Sequence, residues 1–246
     1  RHLLRSGRIE QAGAAMAPWI ASAASGAMWP YAAAIWRLMG DERLSWLEPY
    51  DSLISVVDLT DQLPPLEVLA DRLRQLHQAQ SQQLDQSVRS GTQTDGILFA
   101  NIDPLIQQVR RAVVSAVEAY IARLPARDPK HPTLAPRRDR RPRFAGSWSV
   151  RLHGAGYHAN HVHPAGWISS ALYIALPDTD AEGPEAGWLT LGQPEIELGL
   201  SINPVRTIRP RPGQLVLFPS TMWHGTIPFA HGERLTIAFD VAQPAV

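Results

Sequence analysis

The sequence predicts an α+β fold in which a helical N-terminal half is followed by a jelly roll of short β-strands. Apolar residues recur at helical spacing up to about residue 124, whereas two-residue alternation prevails after Phe144. A stretch rich in Pro and Arg at 126–143 separates the two patterns. Many short strands bounded by Gly, Pro and Asp are typical of a β-sandwich or jelly roll.

Residues 1–50 are predicted to form a helical segment that partly resembles a tetratricopeptide repeat. Gly40-Asp41 repeats the position of Gly7-Arg8 after about 33 residues. Two packed helices without a repeat explain the same pattern, so both interpretations stay open. Because the chain begins at Arg1 within a helical pattern, we expect that further sequence precedes it.

Residues 51–246 are predicted to form a second domain. Its first part, 51–143, is expected to supply a strand at 53–58, a helix that opens at Pro65, a helix at 103–124 and the linker. The polar stretch 85–95 is expected to be a surface loop, and the arginines of 126–143 to be solvated. The second part, 144–241, is the predicted jelly-roll core, with strands at 148–152, 167–176, 188–191, 205–208, 214–218 and 235–241.

Composition narrows the classes of function. Lys+Arg and Asp+Glu both number 23 in 246 residues, so no net charge attracts nucleic acid or an anionic membrane, and neither is expected as a partner. The apolar stretch 11–36 contains Pro18, Gly26 and Pro30 and is predicted to be neither a membrane span nor a signal peptide, which favours a cytoplasmic protein. The chain has no cysteine, so any metal must be held by His, Asp or Glu.

A group of histidines in the β-rich half predicts a metal site. His161 and His163 are separated by one residue, so both imidazoles project from the same face of an extended strand. His224, which follows the alternating run 214–218, is the candidate third ligand. Three ligands on one face of an iron ion leave positions open for a bidentate cosubstrate and dioxygen, whereas a zinc hydrolase leaves one for water. The remaining histidines are expected to be ordinary polar residues.

Arg234 lies ten residues beyond His224 and is predicted to face inward from the next strand. Its guanidinium offers a planar fork that matches a carboxylate, which is what a dicarboxylate ligand needs. An ion pair with Glu233 or Asp240 is the alternative.

Together, His161-x-His163, Phe218-Pro219 before His224, and Arg234 resemble the 2-oxoglutarate/Fe(II)-dependent oxygenases. The resemblance covers about 144–241 and is strongest to a bacterial and phage branch that reads His-x-His-Pro, often behind tetratricopeptide repeats. It implies a double-stranded β-helix in which the three histidines hold Fe(II). It also implies that Arg234 anchors 2-oxoglutarate.

Further implications of the resemblance concern the cosubstrate and the reaction. Tyr173 and Thr236 match positions that contact the same carboxylate. Dioxygen and 2-oxoglutarate would be consumed in hydroxylating a substrate, with release of succinate and CO2. Most of the superfamily, however, has His-x-Asp or His-x-Glu where this chain has His163.

Two alternatives follow from that departure. Three neutral imidazoles also bind iron in cupin-type dioxygenases that use no 2-oxoglutarate, so a cosubstrate-independent enzyme is the first. A non-catalytic protein, in which helices bind a partner and the barrel is a scaffold, is the second.

The substrate is expected by analogy to be a peptide or protein, because a helical segment stands beside the oxygenase pattern. Four tryptophans flank the predicted site and are candidates for an aromatic substrate wall, with core packing as the alternative: Trp148, Trp167, Trp188 and Trp223. Arg89 and Gln93 are candidates for substrate contacts if the polar stretch closes over the barrel, with a solvent loop as the alternative.

Overall fold

The computed structural model describes residues 1–22, 25–78, 87–178 and 183–244. The α-helices of these residues are α1 His2–Arg5, α2 Ile9–Ile20, α3 Trp29–Met39, α4 Arg43–Leu47, α5 Tyr50–Leu53, α6 Leu66–Leu76 and α7 Pro104–Arg123. The strands are β1 Ser55–Asp58, β2 Val88–Gln93, β3 Phe144–His158, β4 Gly166–Ala175, β5 Leu189–Leu191, β6 Arg206–Ile208, β7 Gln214–Pro219, β8 His224–Thr226 and β9 Glu233–Ala242.

The strands form two antiparallel sheets. The main sheet has the order β1-β7-β4-β9-β3-β2 and the small sheet the order β6-β5-β8. A bridge between His161 and His224 adds the segment after β3 to the edge of the small sheet. A mixed α/β fold with a largely antiparallel sheet is consistent with a jelly-roll core.

The two faces of the main sheet have different roles. On β9, Leu235, Ile237, Phe239 and Val241 pack into a core that also contains Leu69 and Leu73 of α6 and Val109, Val113 and Val117 of α7. Full burial of each such side chain contributes about 1.5–3 kcal/mol, so this core fixes the sheet on its helices. The residues that alternate with them face the small sheet.

Several elements confirm the sequence predictions. Helix α7 begins at Pro104, and the Asp103 side chain accepts a hydrogen bond from the Leu105 amide at 2.9 Å, which caps the helix. Helix α6 starts directly after Pro65 and β1 lies within the predicted strand.

The prediction of a surface loop at 85–95 was wrong for its central part. Val88–Gln93 is β2, an edge strand of the main sheet that pairs with β3, while 85–86 lie outside the described residues. Val88 is buried against β3, so backbone pairing and one apolar contact outweigh the polar composition. The segment 126–143 contains no helix or strand, but it is not merely solvated, since the ring of His131 is fully buried and its Nε2 lies 3.0 Å from the Leu47 carbonyl.

The N-terminal helices pack as a pair on one end of the barrel. Gly7 and Gly40 both adopt positive φ (69° and 64°) where a helix ends, which explains why glycine recurs there. The pair alone does not establish a tetratricopeptide repeat, which stays a prediction. The indole of Trp223 donates to the Pro30 carbonyl at 2.9 Å, so α3 is tied to the residue before His224. No described helix is long and apolar enough to cross a membrane.

Candidate metal and cosubstrate site

A cavity of about 390 Å³ lies between the main and small sheets. Its lining includes alternate residues of β9 from 234 to 240, namely Arg234, Thr236, Ala238 and Asp240. The three candidate histidines line the same cavity. Strand alternation therefore directs the predicted metal ligands and the predicted anion-binding arginine into one space.

The three histidines are brought together by backbone pairing. The amide of His161 donates to the carbonyl of His224 at 2.9 Å, and the amide of His224 donates back to His161 at 3.0 Å. One ring nitrogen from each of His161, His163 and His224 lies within 4.8 Å of those of the other two. One ion can therefore be shared by all three side chains.

Each of these rings has its Nδ1 directed at an acceptor. For His161 it is the Ala159 carbonyl at 2.8 Å, and for His224 the Met222 carbonyl at 3.0 Å. Carbonyl oxygens only accept, so Nδ1 carries the proton in both rings and Nε2 keeps its lone pair. This is the tautomer that a metal ligand requires.

Burial favours the neutral form of the same rings. Burial, helped by the nearby His163, lowers the pKa of His161 to about 4. Burial, with His161 and His163 close by, also holds the pKa of His224 well below its usual value. At neutral pH, metal binding therefore does not require either ring to release a proton.

Arg234 is buried, with 2% of its surface exposed, and has no acidic partner among the described residues. Glu233, its neighbour, instead pairs with Arg74 at 2.7 Å and with Arg151. Asp240, the other suggested partner, pairs with His163. Within the described chain, the Arg234 Nε atom is left without a hydrogen-bond acceptor.

Tyr173 lies beside Arg234 in the barrel interior. The guanidinium carbon is 5.1 Å from the centre of the tyrosine ring. Burial raises the pKa of Tyr173, and the nearby Arg234 partly offsets that rise. The hydroxyl has no hydrogen-bond partner in the described part of the chain, so two buried polar groups adjoin each other unsatisfied.

Residues 146–240 match the family model described as "Putative 2OG-Fe(II) oxygenase". Over these residues the chain is similar to the 2-oxoglutarate/Fe(II)-dependent oxygenases. The recognition from sequence is therefore confirmed, as are Fe(II) and 2-oxoglutarate as the groups this enzyme domain uses. No curated protein matches the chain by sequence.

Solved structures share the fold of the oxygenase domain at low sequence identity. A prolyl-4-hydroxylase from Pseudomonas putida has 14% identity and a TM-score of 0.52, covering 80% of this chain and 96% of its own. HygX from Streptomyces hygroscopicus, with nickel and 2-oxoglutarate bound, has 13% identity and a TM-score of 0.52 over 80% and 85%. A prolyl hydroxylase from Trichoplax adhaerens, in complex with a hypoxia inducible factor peptide fragment, has 16% identity and a TM-score of 0.50 over 85% and 93%.

The residues of the oxygenase domain fit both groups. Three imidazoles whose Nδ1 atoms all face acceptors suit Fe(II). The Arg234 Nε atom and the Tyr173 hydroxyl, both buried and without a hydrogen-bond partner among the described residues, suit a carboxylate, which would satisfy both. Thr236 and Ala238 are small and line the cavity along β9 beyond Arg234, so they leave room for the rest of a dicarboxylate.

The candidate substrate residues have different outcomes. Gln93 of β2 lines the cavity. Arg89 is not among the lining side chains, and its Nη1 donates to the Val88 carbonyl. Trp167 is not among the lining side chains; it lies in the core under the helices, as its core-packing alternative has it, and its indole donates to the Thr133 carbonyl at 2.8 Å.

Trp148, one of the four tryptophans considered for an aromatic wall, lines the cavity parallel to the His163 ring, with centroids 6.0 Å apart. Sequence reasoning missed three other residues of the wall, Ser87, His158 and Asp240. Ser87 Oγ is 3.2 Å from His158 Nδ1 and 3.3 Å from His161 Nε2, so His158 also belongs to the wall although it was expected to be an ordinary polar residue. Asp240 contacts His163. The even spacing between Arg234 and Asp240 along one strand was the sequence signal that Asp240 faces the cavity.

Proposed function

We propose that this protein is a hydroxylase that uses His161, His163 and His224 to hold Fe(II) and Arg234 to hold 2-oxoglutarate. The observation that carries the proposal is the buried Arg234, which has no acidic partner among the described residues and lies in the same cavity as the histidines. A barrel that serves only as a scaffold has no need of a buried cation without an anion beside it, because such a group costs stability. A dioxygenase without an anionic cosubstrate has no need of it either.

The side chains have separate tasks in this reaction. The three imidazoles bind through Nε2 on one side of the cavity, and Arg234 with Tyr173 and Thr236 binds the far carboxylate of the cosubstrate. With dioxygen, the bound iron and cosubstrate supply the oxidising chemistry that converts R–H to R–OH as 2-oxoglutarate becomes succinate and CO2. The walls of the cavity exclude water and hold the reactants in order.

A peptide or protein side chain is the proposed substrate. Support comes from the prolyl hydroxylase of Trichoplax adhaerens, which has a similar fold and was solved in complex with a peptide fragment. Gln93 and Trp148 border the cavity beside the histidines and are the proposed substrate contacts. We further propose that 1–50 form a tetratricopeptide-like domain and 51–246 the oxygenase domain, with 144–241 as its core, and that the chain belongs to the His-x-His-Pro branch.

Succinate formation tests the reaction. The protein is incubated with Fe(II), 2-oxoglutarate and dioxygen, and succinate is measured with and without a peptide library. We expect slow succinate formation alone, faster formation with a substrate peptide, and addition of one oxygen atom to that peptide. Iron binding without any succinate would instead favour the cosubstrate-independent dioxygenase, and failure to bind iron would favour the scaffold.

A further inference from the structure

The structure contains a carboxylate next to the proposed metal site, although this carboxylate does not belong to the residue at position 163. In a two-His-one-carboxylate site the acid is itself a ligand and supplies one negative charge. Here His163 takes that position, and three imidazoles alone would leave the charge of Fe(II) uncompensated. Asp240, on the neighbouring β9, is directed at His163 from behind.

The geometry of this pair is specific. Asp240 Oδ2 lies 2.5 Å from His163 Nδ1. Its second oxygen, Oδ1, accepts a hydrogen bond from the Ser169 hydroxyl at 2.6 Å, and Ser169 Oγ lies 2.9 Å from Ser220 Oγ. Asp240 is 8% exposed, so the orientation of its carboxylate is fixed by His163 and by Ser169 of β4 and not by water.

No Lys or Arg accounts for the burial of this acid. Among the described residues, Asp240 makes no ion pair with Lys or Arg, and the imidazole of His163 is the titratable side chain that it contacts. Arg234 on the same strand faces the opposite end of the cavity beside Tyr173. A buried carboxylate without a cation is costly, unless a positive centre binds on the far side of His163.

We propose that Asp240 is a positioning residue that acts on the metal through His163. It accepts a hydrogen bond from Nδ1 of His163, which keeps the proton on that atom and leaves Nε2 to face the metal. Through this hydrogen bond it also supplies the negative charge that a carboxylate ligand would supply by direct contact. Carboxylate–histidine–metal arrangements of this kind orient the ring and raise its basicity. This inference rests on the proposed metal site and goes beyond it, because it assigns the charge balance of a His-x-His centre to a residue outside the ligand set.

The first test is the metal affinity of Asp240→Asn, which keeps the shape of the side chain but removes its charge. Co(II) binding to the full chain is measured by titration for the wild type, Asp240→Asn and the control Asp139→Asn, which changes an exposed acid paired with Arg137. We expect Co(II) to bind Asp240→Asn about 10–100-fold more weakly, with Asp139→Asn unchanged. Unchanged affinity in Asp240→Asn would overturn the proposal.

A second measurement needs no variant and remains valid if Asp240→Asn fails to fold. Long-range ¹⁵N–¹H spectra of the histidines in the Zn(II)-loaded wild type report which ring nitrogen carries the proton. We expect His163 to be protonated at Nδ1 and to bind Zn(II) through Nε2. Binding through Nδ1 would contradict the role of Asp240.

The two proposals fail in different ways. If the wild type binds Co(II) and His224→Ala does not, while Asp240→Asn binds like the wild type, only the role of Asp240 is lost. If the wild type binds no metal, both the metal site and the role of Asp240 are lost.

Discussion

Arg234 and Asp240 mark the two ends of the site on a single strand. Both face the cavity because they are six residues apart, an even number, and β9 alternates. Each is buried with its charge uncompensated by Lys, Arg, Asp or Glu of the described chain. The end of the site at Arg234 therefore suits an anion, and the end at Asp240 suits a cation.

Loss of Arg234 is expected to weaken cosubstrate binding selectively. In Arg234→Ala, the dissociation constant for 2-oxoglutarate should rise by about 100-fold, because hydrogen bonds to charged groups contribute about 1.5–3 kcal/mol each. Anaerobic titration of the metal-loaded protein with 2-oxoglutarate measures this, and metal affinity is measured separately. Arg137→Ala, at an exposed ion pair, is the control. An equal loss of metal and cosubstrate would refute the assigned role.

Loss of His224 is expected to remove the metal. His224→Ala deletes one of three ligands and leaves only His161 and His163, so iron should not be retained after dialysis. Iron content per chain measures this, with His153→Ala, on the exposed part of β3, as the control. An unaltered iron content in His224→Ala would remove this residue from the site.

The residues that sequence predicted best are those whose relation is local. His161 and His163 share a face because of their spacing, and Arg234 shares the interior because of strand alternation. The contact between Asp240 and His163 could not be predicted, because it joins β9 to the segment before β4, which is far away in sequence. The sequence did not separate a substrate wall from core packing for Trp167, because both roles need a buried aromatic side chain.

At the scale of elements, the site depends on how closely β8 approaches the segment that carries His161. Gly225 lies between His224 and Thr226 on this short strand. A Cβ atom added at Gly225 would lie 2.0 Å from Asn160 Oδ1 and 2.9 Å from the His158 carbonyl oxygen. No side chain fits there without moving the two ligand-bearing segments apart.

Gly225→Ala is therefore expected to reduce metal affinity and stability together. Overpacking of this kind typically costs about 1–3 kcal/mol, and the shift acts directly on the pairing of His161 with His224. Thermal unfolding and Co(II) titration measure the two effects. Gly13→Ala is the matched control, because its added Cβ would meet no atom closer than 3.5 Å. Wild-type metal affinity in Gly225→Ala would show that this close approach is not needed.

Element prediction succeeded where periodicity was long and failed where pairing decided the structure. Helices α6 and α7 have apolar stripes and proline at or before their first turn, which act locally. Strand β8 has three residues, too few for an alternating pattern, and β2 is polar. Both exist because neighbouring strands offer hydrogen-bond partners, which no local pattern reveals.

At the scale of the whole molecule, the helical segment is fastened to the end of the barrel that carries the metal site. Tyr31 packs edge-on against Trp223 with ring centroids 5.8 Å apart, and the Arg37 guanidinium donates to the Gly192 carbonyl at 3.3 Å. Nothing in the sequence pattern of 1–50 predicts which surface of the barrel it covers, because that depends on shape complementarity between distant residues.

Glu48 makes the stability of this helical region dependent on pH. Burial raises its pKa to about 7 from a usual 4.5, although a hydrogen bond from the Tyr50 hydroxyl at 2.8 Å and the charge of Arg37 oppose the rise. The folded state therefore holds this proton more tightly than the unfolded state. Its contribution to stability is fully present below pH 4.5 and is lost as the pH rises through about 7.

Glu48→Gln is expected to remove this dependence. Relative to the variant, the wild type should lose about 3 kcal/mol in its free energy of unfolding between pH 5 and pH 8. Urea denaturation across that range measures the free energy of unfolding of both proteins. Taking the difference between them cancels the titration of the groups that both proteins share. Parallel stability curves for the two proteins would show that Glu48 ionises normally.

The central claim is that one cavity holds both Fe(II) and 2-oxoglutarate. The most direct measurement is anaerobic addition of 2-oxoglutarate to the Fe(II)-loaded protein, followed by the visible metal-to-ligand charge-transfer band of a 2-keto acid chelated to Fe(II). We predict that the band appears in the wild type and that Arg234→Ala requires far more 2-oxoglutarate to produce it. Tightly bound iron with no band at saturating 2-oxoglutarate would contradict the claim.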